Sequence, residues 1–225
     1  MPLGLTEKVE SERLYKAFDF MAAKDLAAAE TELNAGLGEA ENNDDKVLTA
    51  LFYSSLGVLY KIRKDFQKAW KFYEKAEKIL PDDPALKLIS ARLLIDVFGQ
   101  YDTAIRRCRR VLEISRSDPP FRHQAFATMG LAMLKDGQRT QAVDSLVEAM
   151  EGDFEGLLSA SNIDMKLVEA LLRKKTGIPE SFVYLQKSLE FAKETGEERF
   201  VELFSRLIES FPHEDAPAGD DTVVR

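Results

Sequence analysis

Residues 50–83 read ALFYSSLGVLYKIRKDFQKAWKFYEKAEKILPDD. Tyr53, Leu56, Gly57 and Tyr60 recur at three- and four-residue spacing, which lines up one face of a helix. Lys64-Asp65 is a polar break. Ala69, Tyr73 and Ala76 then restart the same period, and Pro81 ends it because proline has no backbone N–H to donate. The stretch therefore predicts two antiparallel helices. Gly57 and Ala69 are small enough to let the two backbones approach, and Ala76 allows the same approach by the next element. Tyr53, Leu56, Tyr60 and Tyr73 fill the space around these contacts. A large residue at Gly57 should force the pair apart.

The pattern returns at 123–156. Phe126, Met129, Gly130 and Met133 form a first face, and Ala142, Leu146 and Ala149 a second, around the turn Lys135-Asp136-Gly137-Gln138. In both stretches the large residues at positions 4, 7 and 11 and the small residues at 8, 20 and 27 resemble the tetratricopeptide repeat. The family's proline at position 32 is matched by Pro81 but replaced by Phe154 in the second copy. Three weaker copies flank these two. Phe20, Ala29, Leu33 and Gly36 fit in 10–43, where Arg13 and Lys16 replace apolar residues. Leu88, Ile95, Ala104, Cys108 and Val111 fit in 85–118, where Arg92 replaces the small residue. Met165, Val168, Leu172, Ser181, Leu185 and Ser188 mark a degenerate copy at 162–195.

The resemblance implies an all-α fold, a right-handed α-α superhelix of about five helix pairs. The whole is predicted as one domain, 1–211, of units 10–43, 50–83, 85–118, 123–156 and 162–195. The markers Ala29, Ala69, Ala104, Ala142 and Ser181 lie 40, 35, 38 and 39 residues apart, more than the 34 of a regular array. The excess is predicted in loops at 38–46, 117–121 and 152–162. A further helix over 197–211 carries the stripe Phe200, Leu203, Phe204, Leu207, Ile208 and Phe211, which suits a cap over the exposed end of a solenoid or a docking surface. Residues 212–225, with two prolines, a glycine and several acids, are predicted to be a disordered acidic tail.

Composition agrees with this reading and narrows function. Apolar residues make up 45 % and charged residues 31 % of the 225-residue chain, while glycine (12) and proline (8) are sparse, which favours long helices over turn-rich sheet. The net charge of −8 repels phosphate, so neither nucleic acid nor membrane is expected as a partner. Residues 85–122 run against that balance, with eight Lys/Arg and four Asp/Glu. The opening residues lack a basic start followed by an apolar run, and no stretch reaches the ~20 apolar residues of a membrane span, so a cytoplasmic location is expected.

No catalytic or metal-ligating constellation is legible. The two histidines, His123 and His213, and the single Cys108 do not make a zinc site. Cys108 stands in an apolar pattern and is expected to be buried. No glycine-rich phosphate loop occurs. Asp44-Asp45 and Asp82-Asp83 read as loop carboxylates or helix caps. The chain is therefore expected to be no enzyme and to take no cofactor.

Partner binding is the function the resemblance implies. In tetratricopeptide proteins the first helix of each pair lines a concave groove. On this chain the groove positions are Phe18; Ser54, Val58, Lys61 and Ile62; Ile89, Leu93 and Val97; and Leu131, Leu134 and Lys135. The lining is largely apolar. Val58, Leu93 and Leu131 stand where some chaperone-binding relatives carry a polar clamp for a peptide carboxylate, so the groove suits an amphipathic helix or an apolar peptide. Tight packing, or the chain's own terminal helix, could fill it instead. A second surface is the basic patch Arg106, Arg107, Arg109 and Arg110, read either as a solvated helix face or as a dock for an acidic partner. An adaptor or scaffold is the favoured function, and a secretion-type chaperone holding an apolar client segment is the alternative. The oligomeric state is left open, between a monomer and a dimer through Phe200, Phe204 and Phe211.

Overall fold

The computed structural model describes residues 11–211, which form eleven α-helices and no strand. The predicted tail at 212–225 lies outside the described residues. The chain divides into two compact units, Met1–Gln100 and Tyr101–Arg225. The division falls inside the predicted 85–118 repeat. No helix of the described residues is long and apolar enough to cross a membrane.

The first unit contains α1 (Glu12–Ala22), α2 (Leu26–Asn42), α3 (Lys46–Ile62), α4 (Phe66–Ile79) and α5 (Pro84–Leu93), followed by a π-helical turn, Leu94–Phe98. Each helix packs on the next, and α1 also meets α3. Short turns between long helices allow only this antiparallel arrangement. The core is built from Leu14, Ala17, Ala29, Leu33, Phe52, Leu56, Leu59, Ala69, Tyr73 and Leu93. Gly57 of α3 lies against Tyr73 of α4, where a Cβ would stand 2.3 Å from Tyr73 Cε1. The close approach expected of Gly57 is therefore present, and Tyr73 is the group that exploits it.

Three successive corners share one chemistry. Lys24, Asp44 and Lys64 adopt left-handed backbone, with φ of 63°, 53° and 62°. The N–H of the following Asp25, Asp45 and Asp65 donates to the carbonyls of Phe20, Ala40 and Tyr60 at 2.8, 3.0 and 2.9 Å, closing the end of one helix. The carboxylates of the same three residues accept from the N–H groups of Ala28, Leu48 and Lys68, opening the next helix. One aspartate thus serves two helix ends. Asp83 and Asp118 cap α5 and the helix after α6 in the same way, through Leu86 and Phe121. Asp44-Asp45 and Asp82-Asp83 are accounted for by these corners.

The corners correct the predicted loops. Gly38 sits inside α2, and only Asn43–Asp45 connect α2 to α3. Part of the excess repeat length is therefore helix, since α2 and α3 each run 17 residues. Helix formation continues wherever an amphipathic face finds a neighbour, whatever the local glycine content.

The second unit contains α6 (Tyr101–Ile114), α7 (Pro119–Lys135), α8 (Arg139–Ala149), α9 (Lys166–Arg173), α10 (Ile178–Glu194) and α11 (Glu198–Glu209). Pro119 and Pro120 lie in the first turn of α7, where a missing N–H costs nothing. Gly130 of α7 meets both α8 and α9, since a Cβ there would stand 2.9 Å from Ser145 Cβ and 2.5 Å from Leu167 Cδ2. Between α8 and α9 the chain runs through turns and a short 3-10 segment, Ala160–Asn162, as the composition of 152–162 predicts. Phe154, which takes the place of the repeat's proline, has φ of 64° and is buried. Its ring meets His123, Tyr184 and Phe191 at centroid distances of 5.3, 5.3 and 6.0 Å.

Helix α11 packs on α10. Phe204 is fully buried and Phe211 lies edge-on to Phe182, 5.2 Å between centroids. Leu203 remains 44 % exposed. Glu197 precedes the first turn of α11 and reaches away from that helix, accepting from the Ala160 N–H at 2.6 Å and from the Ser159 hydroxyl at 2.7 Å. These bonds hold its carboxyl below the usual carboxylate range.

Candidate partner-binding surfaces

In the first unit the predicted groove positions separate by burial. Ser54 is buried, with its hydroxyl donating to the Leu51 carbonyl at 2.9 Å, and Leu93 is wholly inside the core. These two residues are core, a correction to their reading as groove lining. Phe18 of α1, Val58 of α3 and Ile89 of α5 are half-buried and rest on the core. Ile62 at the end of α3 is 48 % exposed, and Val97 in the π turn is 36 % exposed. Lys61 is half-buried. Tyr15 of α1, which the repeat register does not nominate, is 55 % exposed. The first helices of this unit therefore present apolar side chains to solvent, on a floor of fixed core residues.

In the second unit the corresponding positions do not line an open surface. Leu131 and Leu134 are 4 % and 0 % exposed, which removes both from a groove. Three helices, α6, α8 and α9, pack against α7, and the Lys174 ammonium donates to the Leu134 carbonyl at 3.3 Å. Only Lys135, at the last turn of α7, is exposed. Sequence period identifies the apolar face of α7 but carries no information about how many helices will cover it.

A ladder of rings and cations crosses α3 and α4. Tyr60 stacks on Phe72 at 5.3 Å and 11°, and the Lys68 ammonium lies 4.9 Å from the Tyr60 centroid. The Lys75 ammonium lies between Phe72 and Tyr53, at 5.4 and 4.9 Å. The Tyr60 hydroxyl donates to Glu30, which also pairs with Arg63, and the Tyr53 hydroxyl donates to Glu41 at 2.7 Å. The Tyr60 hydrogen bond and the Arg63 pair hold the Glu30 carboxyl low, and the same bond raises the Tyr60 phenol. Each member satisfies another, so the ladder clamps α2, α3 and α4 together.

On α6, Ala104, Ile105, Cys108 and Val111 are buried, which turns Arg106, Arg109 and Arg110 outward, with Arg107 half-buried at the edge. Leu112, which the sequence pattern points inward, is half-buried. Arg106 donates to Thr103 Oγ1 at 2.9 Å and Arg110 pairs with Glu113 at 3.1 Å.

Cys108 and His123 both lie inside the second unit. Cys108 is fully buried. His123 of α7 is buried too. Its Nδ1 lies 2.8 Å from the Ala149 carbonyl, and its Nε2 accepts from the Asp164 N–H at 3.0 Å. That pair of contacts fixes the neutral ring with its proton on Nδ1. Tyr184 reaches the same place, donating to the Asp164 carbonyl at 3.0 Å. His123 therefore ties α7 to the ends of α8 and of the irregular segment, a role invisible in a sequence where it merely opens a repeat. Among the described residues, no group of three or more His, Cys, Asp or Glu is placed to hold a metal ion.

No protein-family model matches the chain, and no curated protein sequence matches it. Solved structures do. The apo form of RapI is 17 % identical with a TM-score of 0.63, covering 87 % of this chain and 74 % of its own. PilW, a type IV pilus biogenesis factor, is 16 % identical with a TM-score of 0.59, covering 93 % and 97 %. PilF of Pseudomonas aeruginosa is 15 % identical with a TM-score of 0.59, covering 88 % and 91 %. These are tetratricopeptide-repeat proteins, and the fold of this chain is tetratricopeptide-like, as the repeats predict. Proteins with this fold are in general interaction modules.

Proposed function

We propose that the protein is a non-catalytic adaptor that captures an amphipathic helix or an apolar peptide of a partner along the first helices of its first unit. The observation that carries this reading is the exposure of Ile62 and Val97 beside the half-buried Phe18, Val58 and Ile89. Folding leaves these side chains partly in water although each could be covered, and covering them with an apolar helix face is favourable by about 25 cal/mol per Å2. Lys61 and Lys135, the charged members of the predicted set, sit at the ends of α3 and α7.

The same surface serves the chaperone reading, in which the client segment is unfolded when alone. An adaptor's partner folds without it. One experiment addresses both. Partners are captured from lysate on the wild-type protein and on Val58→Glu/Ile62→Glu, with circular dichroism confirming that both are folded. A partner retained by wild type and lost by the variant supports the groove, and its own folding in isolation separates adaptor from chaperone. Equal capture by both baits removes the groove. Leu131→Glu, which the repeat register also nominates, is unsuitable because it places a charge in the core of the second unit.

A further inference from the structure

We propose that the outer face of α6 is a second docking surface, which takes an acidic peptide segment of a partner protein through paired guanidinium–carboxylate contacts. The proposal is independent of the groove.

The rotation of α6 is fixed by Ala104, Ile105, Cys108 and Val111, all buried. Arg106 and Arg109 are three residues apart and Arg106 and Arg110 four apart, so the three exposed guanidiniums form one stripe. Two of the three have capacity left: Arg106 uses a donor on the neutral Thr103 hydroxyl and Arg109 forms no ion pair among the described residues, while Arg110 pairs with Glu113 and is engaged further within the chain. A guanidinium carries five N–H donors in a planar fork.

The choice of cation is as informative as the charge. Between Lys87 and Lys135 the chain contains no lysine, and all seven basic residues there are arginines, although lysine is the commoner of the two over the whole chain. A face that only needs solvation is served equally by lysine. Arginine alone offers the flat bidentate geometry that matches a carboxylate. The helix also carries a local excess, four arginines against two acids over Tyr101–Ile114, in a chain of net charge −8. Single exposed ion pairs contribute little. The fitting ligand is therefore a segment with several carboxylates that engages the stripe at more than one point. Nucleic acid fits less well, because the chain as a whole repels phosphate.

The test is fluorescence anisotropy with a labelled oligo-glutamate peptide against the full chain, with oligo-glutamine and a DNA duplex as comparison probes. Oligo-glutamate should bind, oligo-glutamine should not, and affinity should fall about tenfold between low and physiological salt. Arg106→Glu/Arg109→Glu, shown by circular dichroism to be folded, should lose binding. Arg106→Lys/Arg109→Lys should keep the charge yet bind more weakly, while Val58→Glu/Ile62→Glu should bind as wild type does. Failure of the wild type to bind oligo-glutamate would overturn the proposal, as would equal binding by the charge-reversed variant or tighter binding of DNA. Full affinity in the lysine variant would remove the guanidinium requirement. A last variant converts Glu214, Asp215, Asp220 and Asp221 to their amides. Binding seen only in that variant would make the chain's own acidic segment the occupant and overturn a partner in trans.

Discussion

Phe52 of α3 stands on Gly36 of α2: a Cβ at Gly36 would lie 2.1 Å from Phe52 Cζ and 2.3 Å from Cε1. The ring is 1 % exposed and has no room to withdraw. Two residues on, Gly38 lies in the same helix with nothing within 4 Å of its Cβ position. The two glycines therefore have opposite reasons to exist. Gly36→Ala should destabilise the protein by about 1–3 kcal/mol through overpacking. Gly38→Ala should stabilise it by about 0.5–1 kcal/mol by restricting the unfolded chain and favouring helix. Urea denaturation of both variants checks the pair, and the same sign for both would mean that the α2–α3 contact is misplaced.

Lys64 holds φ of 62° at the corner between α3 and α4. An L-residue with a Cβ is strained there, and glycine is not. Lys64→Gly should raise stability by about 0.5–1 kcal/mol, which is a rise of about 1–4 °C in Tm for a protein of this size. The same change at Gln67, in the first turn of α4, should lower Tm, since glycine there only adds unfolded-state freedom.

The Tyr73 hydroxyl is buried with no hydrogen-bond partner among the described residues, and burial pushes its phenol above the usual range. Its ring fills the space that Gly57 leaves. Tyr73→Phe keeps the ring and removes the unsatisfied group, so it should be neutral or stabilising by about 1 kcal/mol. Tyr73→Ala should cost about 3–5 kcal/mol as a cavity. A marked loss of stability in the phenylalanine variant would reveal a partner for the hydroxyl.

Glu197 anchors the start of α11 to the Ser159 hydroxyl and the Ala160 N–H, and its carboxyl is held below the ordinary value of 4.5, chiefly by the Ala160 N–H. For a folded-state pKa that is depressed, the contribution is complete above the unfolded value and disappears as pH falls through the folded one. Protection of α11 amides from hydrogen exchange should accordingly decrease on acidification below about pH 4.5. In Glu197→Gln that acid-dependent part should be absent, with protection already lower at neutral pH. An unchanged acid response in the variant would assign it to other carboxylates.

Much of this fold is legible in the sequence, because the signals are local. Residues 50–83 contain both apolar faces of a helix pair, the small residues at their crossing and the proline that ends it. Asp25, Asp45 and Asp65 stand 20 residues apart, a spacing that marks three identical corners and would have placed Gly38 inside a helix. The two strongest repeats, a helix within 197–211 and the buried Cys108 follow from period and composition alone.

Burial across helices is a different kind of quantity. The predicted groove positions Val58 and Leu131 are equivalent in the repeat, yet one is half-buried on α3 and the other is buried on α7, against which three helices pack. Nothing within either helix distinguishes them, because exposure depends on which later helix packs alongside, and that is settled by contacts between residues far apart in the chain. His123 shows the same limit, since its partners Ala149 and Asp164 lie 26 and 41 residues away. The sequence by itself determined helix, pairing and corner. Tertiary structure alone decided which apolar faces became core and which stayed in contact with water, because the energy of burying a face belongs to the pair of surfaces and not to either segment.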